Sequence, residues 1–190
     1  MTAVSHYLGS MGGVMLLTLP LWLVLRTLHL TFRQKSSRWQ RELGLALLVL
    51  YFMGLASQTL TGGYARPDVS DLPALWARAV QRWETGFGIN LTPGYTICSM
   101  LEKGSHGQKL INLAGNVVIF APLALLPPLL WRRWRHLWAA VGLAAGVSCL
   151  IEFLQLFVGR SVDVDDVILN ALGGLLGYLL FCLLPKKWKS

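Results

Sequence analysis

The chain has 190 residues, of which 54% are hydrophobic and 14% charged, with a formal net charge of +8. Soluble domains carry roughly 25% charged residues; this deficit, with apolar runs about as long as a bilayer is thick, excludes an ordinary soluble domain. The positive charge does not read as nucleic-acid binding: the basic residues fall at the ends of apolar runs, where they anchor and orient membrane spans, and form no phosphate-tracking stripe.

The first apolar segment runs from Met11 to Leu30 and holds Pro20 and Arg26, so it is expected to kink at the proline and to snorkel the arginine toward the nearer surface. No basic region precedes it, so it reads as an uncleaved anchor rather than a signal peptide. A basic loop follows, with Arg33, Lys35, Arg38 and Arg41, and then a second apolar segment, Leu43–Leu60. Thr61–Lys109 is mixed in character. Within it, Leu72–Trp83 has apolar residues at helical spacing with Arg78 and Arg82 on another face, the pattern of an interfacial helix with Trp76 and Trp83 at headgroup level. Gly86–Pro93 is turn-rich, and Tyr95–Lys103 is expected to form a second short surface or re-entrant helix. The remaining spans are Leu110–Trp131, ended by Arg132, Arg133 and Arg135, then Leu137–Val158 and Val167–Leu184; a Lys-rich tail closes the chain. No internal repeat stands out.

The expected architecture is an all-α integral membrane protein of about five transmembrane helices with interfacial helices in the long loop. It divides into a two-helix unit (1–61), that loop (62–109) and a three-helix core (110–190). The basic loop, the Arg cluster and the lysine tail share one side in a five-span chain. The positive-inside rule makes that side cytoplasmic, placing the N-terminus outside and the C-terminus inside.

With this topology, polar residues in the last three spans reach a similar depth near the outer surface. Asn112 and Asn116 are four apart, Glu152 and Gln155 three apart, and Asp166 and Asn170 four apart, so each pair shares a helix face. Arg160 and Asp163 lie in the Gly159–Asp166 loop beside them. A charge in the hydrocarbon core costs at least ~2.5 kcal/mol on insertion scales, so such groups turn inward, find partners and often mark function. Glu152 is the foremost candidate, with Arg160 as its nearest counter-ion. Polar groups in membrane helices also serve merely as glue, and Asp165 and Asp166 suit the positive end of a helix dipole. Gly173 and Gly177 form a Gly-x-x-x-Gly pair which, with Gly115, permits close helix approach and offers a glycine face for oligomerisation. Cys98, Cys149 and Cys182 give neither a disulfide framework nor zinc spacing. No cofactor or resident metal is implied, and no catalytic residue is identified.

At these positions the sequence resembles the VanZ-like family. The resemblance is carried by Asn112-x-x-Gly115-Asn116-x-x-x-Phe120-x-Pro122, by Glu152-x-x-Gln155, and by Arg160, Asp163, Asp166, Asn170, Gly173 and Gly177. The Asn90-Leu91-x-Pro93 passage resembles the segment the family carries ahead of its Asn-Gly-Asn helix. The likeness covers about Asn90 to Phe181. It departs at Gly94, where the family often has an aromatic residue, and at Leu123, where it often has glycine. The family takes its name from a protein linked to resistance to teicoplanin-type glycopeptides, so the resemblance implies a bacterial cell-envelope protein of the cytoplasmic membrane.

Three mechanisms remain open. The first is a binding protein for an amphiphile: a membrane-lipid headgroup, a lipid-linked cell-wall precursor or a lipoglycopeptide antibiotic. Its candidate ligand-binding residues are Asn112, Asn116, Glu152, Gln155, Arg160, Asp163, Asp166 and Asn170, with Arg160 meeting phosphate or carboxylate. The second is a membrane enzyme on a lipid or glycan, with Glu152 as acid or base and Asp163 or Asp166 helping to hold a divalent ion. The third is a small transporter with Glu152 as a proton site, against which the lack of repeats counts.

Overall fold

The computed structural model describes residues 3–33, 38–61, 71–103 and 106–185, with side chains for 11–32, 38–57, 71–102 and 113–185. The helices are α1 (Ala3–Arg33), α2 (Trp39–Thr61), α3 (Leu72–Thr85), α4 (Tyr95–Lys103), α5 (His106–Leu130), α6 (Leu137–Val158) and α7 (Val164–Leu183). A 3-10 turn, Arg132–Trp134, joins α5 to α6, and two-residue strands lie at β1 (Ile89–Asn90) and β2 (Val162–Asp163). Among the described residues, α1, α5, α6 and α7 contain segments long and apolar enough to cross a membrane. The 23 residues of α2, at about 1.5 Å rise each, also match the ~30 Å hydrocarbon thickness. The chain is an all-α multi-pass membrane protein.

The centre of the molecule is α5, α6 and α7. Small residues let these helices approach: a Cβ at Gly173 would strike the Val117 carbonyl and the Phe120 side chain, and one at Gly177 would strike the Ala121 carbonyl, both on α5. Gly174 faces α6, where a Cβ would lie 2.6 Å from that of Ala144. The Gly-x-x-x-Gly face is therefore covered by α5 of the same chain. Gly115 takes no part in this packing: among the described residues nothing lies within 4 Å of a Cβ built there. Leu123, Ala124, Ala140, Ala144 and Ser148 are buried in the same core.

The helices α1 and α2 attach at the side. Tyr51 of α2 donates its hydroxyl to the Ile119 carbonyl of α5. Gly54 of α2 admits the side chains of Met11 and Met15 from α1. Pro20 lies inside α1, which runs on through it. Arg26 forms a bidentate pair with Glu42 near the start of α2, Nε to Oε2 at 2.6 Å and Nη2 to Oε1 at 2.8 Å. Pairing satisfies both charges where isolation in hydrocarbon would be expensive. No residue of Met11–Phe32 is buried, so α1 is held by α2 and otherwise faces outward.

The described part of the mixed segment, residues 71–103, folds onto one end of the bundle. Asp71 caps α3 by accepting from the Ala74 N–H at 2.9 Å, and Gly86 closes it with φ +67°. Trp76 of α3 packs against Phe157 of α6, ring centroids 5.9 Å apart. Beyond α3 the chain forms a parallel pairing, Ile89 with Val162 and Asn90 with Asp163, reinforced by the Val162 N–H donating to the Gly88 carbonyl. No strand is expected from the sequence there, because two residues carry no periodic signal. This pairing ties the mixed segment to the α6–α7 turn. The last helix starts at Val164 rather than Val167, so Asp165 as well as Asp166 lies in its first turn.

Candidate ligand-binding site

The polar end is built around the junction of α6, β2 and α7. Glu152, near the end of α6 and 6% exposed, accepts the backbone N–H of Asp163 through Oε2 at 2.8 Å. Gln155, one turn further on, points its amide nitrogen at Glu152 Oε2 (3.3 Å) and the Ser161 carbonyl (3.2 Å) in the orientation that satisfies all three groups. Gly159 then ends α6 with φ +77°, and the Arg160 N–H returns to the Gln155 carbonyl at 3.1 Å. This reversal holds Arg160 within electrostatic reach of Glu152 and Asp166.

Asp163 organises the entry to α7. Its Oδ1 accepts from the Asp165 N–H at 2.9 Å, the N-cap bond. The same oxygen accepts from Asn90 Nδ2 at 2.9 Å, and Oδ2 accepts from the Thr96 hydroxyl at 2.5 Å. Asp165 is 0% exposed and turns toward α4, taking the backbone N–H groups of Gly94 (2.5 Å), Thr96 (2.8 Å) and Ile97 (3.0 Å). One carboxylate thus satisfies the orphan donors at the start of α4, where the helix dipole also favours negative charge. Gly94 adopts φ +82°, a conformation in which a side chain is strained. That gives a local reason for glycine at this position.

Asp166 faces α5, where Asn116 Nδ2 donates to its Oδ1 at 2.6 Å. Asn170, one turn deeper, does not join the carboxylates. Its Nδ2 donates to Ser148 Oγ at 2.8 Å, and its Oδ1 is buried with no hydrogen-bond partner among the described residues. The structure therefore brings together Asn116, Glu152, Gln155, Arg160, Asp163 and Asp166 and sets Asn170 apart. The side chain of Asn112 lies outside the described residues, as do those of Arg33, Lys35 and the lysine tail. Among the described residues no group of three His, Cys, Asp or Glu side chains has the arrangement to hold a metal ion.

Three contributors escape the helical-spacing argument. Asn90 and Thr96 reach the cluster only through the β1–β2 pairing, though the Asn90-x-x-Pro93 turn is a local signal for the first. Arg82 is expected, with Arg78, on the non-apolar face of an interfacial helix. It crosses to the end of α6, where Nη1 donates to the carbonyls of Gln155 (3.2 Å) and Leu156 (2.7 Å) and Nη2 to that of Arg160 (2.5 Å). It neutralises the negative end of the helix that carries Glu152.

This junction of buried acids, an Asn-bearing helix and a glycine-packed partner coincides with a family match. Residues 43–185 fit the VanZ/LLP1 family model. The chain belongs to the VanZ/LLP1 family. The match spans α2 through α7, so all the polar contacts of the junction lie inside the VanZ/LLP1 region. No curated protein and no solved structure matches the chain.

Proposed function

We propose that this VanZ/LLP1 protein binds the headgroup of an amphiphile at the α5–α6–α7 junction, on the outer side of the bacterial cytoplasmic membrane. The supporting observation is the placement of Glu152, Asp163 and Asp166. Three carboxylates within electrostatic reach of one another lie at the end of an apolar bundle, and Asp163 and Asp166 are only partly buried. Maintaining such a group opposes membrane insertion. A helix cap alone needs one of these acids, and Asp165 already supplies a second to α4.

The charge balance selects among headgroups. Acids outnumber Arg160 in the cluster, so a group presenting amines, amides or hydroxyls fits better than bare phosphate. Glycan and peptide headgroups carry such donors, as do lipoglycopeptides, and a lipid-linked cell-wall precursor combines them with an anchoring tail. Arg160 would meet the phosphate next to the glycan. On this reading the protein guards the cell envelope and contributes to glycopeptide resistance, with no need of nucleic acid or cofactor.

The test is a binding titration of purified protein in detergent with a teicoplanin-type lipoglycopeptide and with a lipid-linked disaccharide-peptide, wild type beside Asp166→Asn. Saturable binding to the wild type, weakened in the variant and without product formation, supports the reading. Turnover of the precursor would replace it with an enzymatic one, and binding equal in both proteins would remove the site from the cluster.

A further inference from the structure

The face of α6 opposite the polar junction carries a groove of about 510 Å³, whose walls and floor include Trp134, Trp138, Gly142, Gly146 and Leu150. Its two glycines differ from those of the core. Gly173, Gly174 and Gly177 are filled to contact by neighbouring helices. At Gly142 and Gly146, among the described residues, nothing lies within 4 Å of an added Cβ. No packing among the described residues requires glycine at these two positions.

One end of the groove is charged. Arg133 places its guanidinium 6.0 Å from the centroid of Trp134, itself a wall residue, and Arg132 and Arg133 are both exposed. Arg135 is committed elsewhere, donating Nε to the Pro128 carbonyl at 3.0 Å. From Trp138 to Leu150 the groove runs ~18 Å along the helix at 1.5 Å per residue. This is close to the depth of one leaflet, half of a ~30 Å core. Trp and Arg at one end match the interfacial region, and an open glycine floor matches an apolar chain lying along the helix.

We propose that this groove is a binding site for an anionic phospholipid, one acyl chain lying over Gly142 and Gly146 and the phosphate-bearing headgroup meeting Arg132 and Arg133. Charge complementarity chooses this occupant. A second copy of the chain would bring its own arginines to the same end and set like charges against each other, whereas an anionic headgroup neutralises them. The site is independent of the acidic junction, which lies at the other end of the bundle.

The experiment is native mass spectrometry of the delipidated full chain titrated with phosphatidylglycerol or phosphatidylcholine. Wild type, Arg133→Gln, Arg132→Gln/Arg133→Gln and Gly146→Leu are compared after an unfolding check. The wild type is expected to retain phosphatidylglycerol preferentially. Each lost arginine lowers that retention by about fivefold, from the roughly 1 kcal/mol a basic residue contributes near an anionic surface. Gly146→Leu, which fills the groove without removing charge, is expected to lower retention of both lipids. Equal retention of the two lipids by the wild type overturns the proposal, as does undiminished retention in Gly146→Leu. A change in oligomeric state in Gly146→Leu, with lipid retention intact, assigns the groove to a second copy instead.

Discussion

The Glu152 carboxylate accepts the backbone N–H of Asp163 at 2.8 Å. A buried acid on α6 thereby sets the residue that caps α7. Asp163 in turn receives Asn90 and Thr96, so one contact at a helix end propagates into the segment that folds over it. The same carboxylate is a candidate ligand contact, and structural and binding roles are separated by the choice of substitution.

Glu152→Gln keeps an acceptor for the Asp163 N–H and removes the charge. Its stability is expected to stay within about 1 kcal/mol of wild type, whereas Glu152→Ala orphans a buried donor and costs about 1–3 kcal/mol. Reversible unfolding in mixed micelles measures both. Equal losses in the two variants would mean that charge, not the acceptor, holds the turn.

Among the described residues, Asp165 is the side-chain acceptor for the N–H groups of Gly94, Thr96 and Ile97 at the start of α4. Asp165→Ala is expected to destabilise the protein by at least about 3 kcal/mol, since several buried charge-assisted bonds disappear together. Asp165→Asn keeps one acceptor oxygen and should fall between. Hydrogen exchange should accelerate first at Gly94, Thr96 and Ile97. Unchanged protection at these amides would show that α4 is held by its other contacts.

Arg82→Ala removes three bonds to carbonyls at the end of α6. A loss of about 1–2 kcal/mol is expected from the helix-terminus interaction, with partial recovery in Arg82→Lys, whose ammonium lacks the planar fork. Detachment of α3 should separate Trp76 from Phe157. A tryptophan emission shift assigned by comparison with a Trp76→Phe background reports it, and unchanged emission would contradict the docking role.

The glycines give a contrast inside one chain. Gly177→Ala places a methyl against the Ala121 carbonyl and Ala124 Cβ, and is expected to cost about 1–3 kcal/mol through overpacking. Gly146→Ala meets open space and should be neutral, or stabilising by up to about 1 kcal/mol. Micelle unfolding of the two variants side by side checks the ranking.

Much of this architecture is legible in the residues. Apolar runs mark the spans, and the three-residue spacing of Glu152 with Gln155 marks the polar face of α6, both side chains being buried there. Asn170 shows the limit of that reasoning. It shares a face with Asp166, but depth along the helix gives it Ser148 as a partner. The partner of Arg26 is missed for a similar reason: Glu42 lies on another helix, and nothing local announces the pairing. The cap from Asp165 to α4 and the reach of Arg82 to α6 join residues about 70 positions apart, mostly through backbone groups that every residue has. Such contacts leave no side-chain pattern. Asp163-Val-Asp165-Asp166 reads as a run of caps, and only the fold distributes it among β1, α4 and α5.

The most direct test of the binding role is native mass spectrometry of protein purified in gentle detergent, with wild type, Glu152→Gln and Arg160→Ala prepared together and shown to unfold alike. The account predicts a co-purified amphiphile on the wild type that both variants lose. An identical ligand complement on all three folded proteins, or none on any of them, would contradict it and leave the carboxylate junction as a device for joining helices.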